Sequence, residues 1–142
     1  MPKLGIVNMI LGFAVIAFAA ATGALLATDI TDAFLNHPER LQTWQLTLQR
    51  SAHGHANLFG ILHVLFGLTL PWSKLSNRIK TMQTIGLFLG VLAVGPLMYF
   101  RSFSAPVLPP DAIGLVTGGF LVMALLAVSS HSFGLALKAW RP

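Results

Sequence analysis

Histidine is the residue of this sequence best suited to chemistry, and its placement is uneven. Of five histidines in 142 residues, His53, His55 and His63 fall in one apolar stretch, Arg50 to Trp72, reading RSAHGHANLFGILHVLFGLTLPW. A neutral imidazole carries one N–H donor and one lone pair, so it can ligate a metal, relay a proton or make a hydrogen bond. An ionisable group inside a membrane-length apolar segment is costly, which makes it a functional candidate. His53, His55 and His63 are therefore the candidate metal ligands. His37 lies in a polar stretch and reads as solvated; it would become a ligand only if Asp29, Asp32, His53 and His55 converged on it. Other chemistry is thin. There is no cysteine, which excludes disulfides, thiolate ligands and Fe–S clusters. No carboxylate lies within the apolar runs to serve as an acid or base. Ser129, Ser130 and His131 are adjacent but lack an acid at their depth, so no hydrolase triad forms. The glycines do not follow a phosphate-loop pattern.

The elements that must position these histidines follow from the charges. Charged residues make up only 9% of the chain, against about 25% in soluble domains. Four runs carry none, 4–28, 51–73, 81–100 and 112–137, and each reaches the roughly 20 residues needed to cross a bilayer as a helix. The expected fold is all-α, an integral membrane four-helix bundle running up-down-up-down. It forms a single transmembrane domain over 1–142, with helices at about 4–27, 51–72, 79–100 and 112–137. Lys3 and Ala19-Ala20-Ala21 suggest a signal peptide as a rival reading of the first run, but that run is too long for an ordinary signal core.

With four crossings, Lys3, Lys74, Arg78, Lys80, Lys138 and Arg141 share one side. Arg40, Arg50 and Arg101 lie on the other with all four acids, Asp29, Asp32, Glu39 and Asp111. The positive-inside rule then puts both termini in the cytoplasm of a cell with an inner membrane. The net charge of +5 is a topology signal, not a nucleic-acid footprint. The expected partners are the lipid bilayer and either further copies of the chain or a larger respiratory-type membrane complex, with no nucleic acid.

Small residues mark the helix seams. Gly5, Gly12 and Ala19 recur every seven residues, and Ala52, Ala56, Gly60 and Gly67 line one strip of the second helix with His63 in the gap. Such strips let helix backbones approach closely in lipid, so His63 should face the bundle interior near mid-membrane. Gly86 and Gly90, and Gly114 and Gly118, form two further close-packing pairs. At about 100° per residue His53 and His55 point roughly 160° apart, so one continuous helix cannot gather all three imidazoles. Gly95-Pro96 should kink the third helix. Met98, Tyr99 and Arg101 end that helix at the depth of His53 and His55, where they could line a quinone, heme or copper site or form an interfacial girdle. Asp111 should cap the fourth helix, and His131 lies toward its far end. Asn36-His37-Pro38-Glu39 reads as a helix start.

The run His53-Gly54-His55-Ala56-Asn57-Leu58-Phe59-Gly60 resembles the H-x-H-x-N-x-x-G helix of small membrane proteins related to the heme-copper oxidase subunit I superfamily, including cbb3-type oxidases and nitric oxide reductases. The resemblance implies that His53 or His55 is an axial heme ligand, with Asn57, Gly60 and Gly67 as supporting positions. That superfamily's large subunit has many more helices, and no second helix here carries the several histidines of a binuclear centre. Oxygen or nitric oxide reduction by this chain alone is therefore not expected. The resulting expectation is a histidine-ligated cofactor, heme b ahead of copper, in an electron-transfer or accessory role without independent enzyme activity. A second donor could come from a His63–His131 pair across staggered helices, from Met98 facing His55, or from another subunit. Two other readings stand beside it. One is a structural subunit whose histidines hydrogen-bond between helices. The other is a proton or metal-ion path with His63 as its midpoint.

Overall fold

The computed structural model describes residues 3–140. Arg141, assigned above to the basic side, lies outside them. The described residues are mostly helical, without strands. Helix α1 spans Lys3–Asn36, α2 Trp44–Thr69, α3 Asn77–Leu92, α4 Met98–Arg101 and α5 Ala112–Trp140. A π turn, Ala93–Leu97, fuses α3 and α4 into one span, Asn77–Arg101. Among the described residues this gives four helices long and apolar enough to cross a membrane. They form an antiparallel all-α bundle, and the chain is a multi-pass membrane protein. Lys3, Lys74, Arg78, Lys80 and Lys138 lie at one end of the bundle, here the basic end. The four acids lie at the other, the acidic end.

Helices α1 and α2 extend furthest beyond the uncharged runs. The 34 residues of α1 amount to about 51 Å at 1.5 Å per residue, well beyond a hydrocarbon core of about 30 Å. Residues 28–36 contain neither glycine nor proline, so nothing breaks the helix where charge appears. The Thr31 hydroxyl donates to the Ala27 carbonyl at 2.8 Å and the Asn36 amide to Asp32 at 2.9 Å. Pro38 then stops it. The expected helix start at Pro38 is a 3-10 turn, Pro38–Gln42, and α2 proper begins at Trp44, N-capped by Thr43. The predicted kink at Gly95-Pro96 takes the form of the π turn, which widens the backbone around a residue that has no N–H to donate. The expected Asp111 cap is present: Oδ1 accepts the Gly114 N–H at 2.7 Å.

Glycine sets the closest helix contacts. A Cβ built on Gly12 would lie 2.6 Å from the Gly60 carbonyl oxygen, and one on Gly67 would lie 2.5 Å from that of Gly5. The expected α1–α2 seam is therefore a backbone-to-backbone contact. Gly86 and Gly90 pack the third span against Met123 and Ala124 of α5. The expected Gly114–Gly118 pair does not form. Gly114 sits against the Arg101 and Asp111 side chains, while Gly118 has nothing within 4 Å, because the α4–α5 contact ends near the acidic surface. At the basic end, Phe66, Leu70 and Leu87 make a buried cluster, and the Lys74 N–H donates to the Gly134 carbonyl at 3.1 Å. Phe13, Phe18 and Leu125 are exposed, as lipid-facing side chains should be.

Candidate functional site

The register that joins Gly5 to Gly67 and Gly12 to Gly60 also sets Asn8 opposite His63. Both side chains are fully buried. The Asn8 amide nitrogen donates to the Leu4 carbonyl and to the Thr84 hydroxyl oxygen, each at 2.9 Å. Its carbonyl oxygen therefore faces His63, whose Nδ1–H donates to it at 2.9 Å. Thr84 in turn donates to the Lys80 carbonyl at 3.0 Å. One polar chain thus ties α1, α2 and α3 together in the basic-end half of the bundle. His63 Nε2 lies beside the Leu87 backbone but has no partner of hydrogen-bond geometry among the described residues. Glycine-mediated backbone contact on both sides of the Asn8–His63 pair leaves no slot there for a macrocycle.

His131 serves the basic end. Its Nε2 is 2.8 Å from the Thr69 hydroxyl, and its ring stacks on Phe66 with centroids 4.0 Å apart. Thr69 and Phe66 close the space that a shared His63–His131 ligand would need. His55 points away from the bundle, is exposed, and meets only its own helix, with Nδ1 2.8 Å from the Ser51 carbonyl. His37 is exposed beside Glu39 at 3.5 Å. Met98 is half-buried at the end of the π turn, and with His55 turned outward the two do not form a pair. Among the described residues, no three His, Cys, Asp or Glu side chains come close enough to hold a metal ion. The three candidate metal ligands diverge because one continuous helix carries them all.

His53 differs from the others. Its ring packs on Gly23 of α1 so closely that any Cβ there would collide with it. Asn57, one turn on, donates its amide to the His53 carbonyl at 3.2 Å and to His53 Nε2 at 3.4 Å. The proton then belongs on Nδ1, which is buried without a partner among the described residues. His53 forms part of the wall of an apolar groove of about 590 Å³ between α1, α2 and the third span. On α1 the wall runs from Leu11 to Leu26. On α2 it includes Gln49, Ala52, His53 and Ala56, and the third span adds Val91, Gly95, Pro96, Tyr99 and Phe100. The π turn contributes Gly95 and Pro96 to this wall.

Arg101 stands above the groove rather than in it. Its guanidinium lies 5.9 Å from the Trp44 ring centroid and 3.8 Å from Asp111, so it links the starts of α2 and α5. The sequence-level reading missed Asn8, Gln49, Gln83 and Thr84, all of them buried. For Asn8, Gln83 and Thr84 the available signal was polarity inside uncharged runs, and for Asn8 also its place three residues after Gly5, matching His63 three after Gly60; Gln49 lies just before the second run. Set against known proteins, the chain matches no family model, no curated sequence and no solved structure.

Proposed function

We propose that this integral membrane protein binds a membrane-soluble ligand or cofactor in the groove beside His53, in an accessory or electron-transfer role. The carrying observation is an almost wholly apolar cavity of about 590 Å³ whose few polar residues, Thr22, Gln49, His53 and Tyr99, gather toward one end. Such cavities with few convergent polar groups are the usual form of small-molecule sites.

Heme b, suggested by the histidine helix, fits this site poorly as arranged. Iron needs an imidazole lone pair, and the lone pair of His53 Nε2 is directed at the Asn57 amide. The two carboxylates of heme also meet no cationic side chain among the groove residues. For copper, no three His, Cys, Asp or Glu side chains converge among the described residues. Contacts of His63 with Asn8 and of His131 with Thr69 favour a structural role for those two histidines, which hold the bundle beneath the groove. The basic end is assigned to the cytoplasmic side of a bacterial-type inner membrane, because five of the eight cations among the described residues lie at that end.

The test is organic extraction of the detergent-purified protein with mass spectrometry, and oxidised and reduced absorption spectra of the same sample. The wild-type protein is expected to retain a membrane-soluble compound near equal molar ratio. His53→Leu should retain at least about tenfold less, equivalent to about 1.4 kcal/mol. Equal retention by His53→Leu, or no retained compound in either, overturns the proposal. A Soret band that disappears in His53→Leu would identify the compound as heme.

A further inference from the structure

We infer that the groove takes a neutral ring with hydrogen-bonding oxygens on an apolar chain, the chemistry of an isoprenoid quinone or quinol, entering sideways from the bilayer. This rests on the groove being a ligand site and names the class of ligand.

Three features carry it. The first is shape. The α1 wall from Leu11 to Leu26 spans about 22 Å at 1.5 Å per residue. A volume of 590 Å³ over that length is slender, with room for a chain and a single ring.

The second is the distribution of polarity. Leu11, Ala14, Val15, Ala56 and Val91 line the mid-membrane part, whereas Thr22, Gln49, His53 and Tyr99 line the part toward the acidic end. No lysine, arginine, aspartate or glutamate lines the groove, so an anionic head would find no counter-charge in a medium where charge is expensive. As packed, the Nδ1–H of His53 is closed off against Gly23; a turn of the ring about its side-chain bonds presents it to a carbonyl oxygen in the groove. Gln49 is 8% exposed and offers both donor and acceptor from the same helix. The Tyr99 hydroxyl comes from the facing span, so a ring with oxygens at opposite positions can be held from two sides.

The third is access. Phe18, Tyr99 and Phe100, all groove residues, are exposed on the lipid-facing surface at 70%, 46% and 62%. The groove therefore opens to lipid, and a compound dissolved in the bilayer can enter without crossing water.

The experiment is titration of the full chain in nanodiscs with a decyl-tailed benzoquinone, read by quenching of tryptophan fluorescence. Decylbenzene, which has the tail without the oxygens, is titrated in parallel. Saturable binding of one quinone per chain is expected, at least about tenfold tighter than decylbenzene. Gln49→Leu and His53→Leu should each lose about tenfold in affinity, while His53→Gln, which restores a donor, should stay within about threefold of wild type. Ala14→Phe fills the tail region at an exposed position and should abolish binding with helical content unchanged. Equal binding of the two probes, or quinone binding indifferent to Gln49→Leu and His53→Leu, overturns the inference. A heme spectrum dependent on His53, with no quinone binding, also overturns it while leaving the ligand site standing. Failure of the quinone together with the absence of any His53-dependent compound removes both.

Discussion

Gly12→Ala is expected to be among the most destabilising single-methyl substitutions in the protein. The added Cβ would lie 2.6 Å from the Gly60 carbonyl oxygen and 2.8 Å from the Val64 backbone nitrogen. Neither is the end of a flexible side chain, so α1 and α2 must separate. Overpacking a fitted interior costs about 1–3 kcal/mol, and here the separation also stretches the Asn8–His63 hydrogen bond, so the upper part of that range applies. Helix association in lipid rests on close packing rather than on a hydrophobic drive, so little else on this seam compensates. Gly118→Ala and Gly119→Ala are the controls, since neither Cβ meets anything within 4 Å; each should stay within about 0.5 kcal/mol of wild type. Reversible unfolding in mixed micelles, followed by helical circular dichroism, measures all three. An unchanged Gly12→Ala would mean that the α1–α2 backbones are not in contact.

Asn8→Leu is expected to cost about 2 kcal/mol, because it removes one side chain and leaves both His63 Nδ1–H and the Thr84 oxygen without their partner. The double variant Asn8→Leu with His63→Leu should recover part of that loss, since an apolar pair leaves no polar group stranded. The coupling energy from the four-way cycle should be about 1 kcal/mol, in line with interhelical hydrogen bonds in membranes. Strict additivity would show that the two residues do not interact. The same cycle bears on function: if His63 ligates a cofactor, His63→Leu removes that cofactor, whereas here the groove should remain occupied.

The fold was legible because charge is scarce. Lys3, Asp29, Arg50, Lys74, Lys80, Arg101, Asp111 and Lys138 bracket four apolar runs, and little besides membrane helices can satisfy the backbone of such runs in lipid. Helix ends were less legible. The residues from Thr28 to Asn36 are polar enough to leave the bilayer yet contain no breaker, so α1 continues into water. The inward turn of His63 could be read from its place beside Gly60 and Gly67. Its partner could not, because Asn8 meets His63 only once the antiparallel register is known. Between His53 and His55, opposite on the helix, periodicity alone gives no preference. The choice is made by Gly23, a residue of another helix, whose missing side chain leaves room for the His53 ring. The irregularity at Gly95-Pro96 was legible from the proline, but the groove it helps to wall was not, because its other sides come from α1 and α2.

The central claim is that one histidine, His53, faces a ligand while His63 and His131 hold the bundle. It is tested most directly by imidazole ¹⁵N spectra of histidine-labelled protein in nanodiscs, before and after addition of the decyl-tailed benzoquinone, with resonances assigned by single-histidine variants. Before addition, His63 should show a fixed Nδ1–H tautomer bonded to Asn8. On addition, the His53 Nδ1 resonance should move to that of a hydrogen-bonded donor, while His63 and His131 stay in place. A His53 resonance that does not respond, or a His63 resonance that does, would contradict the account.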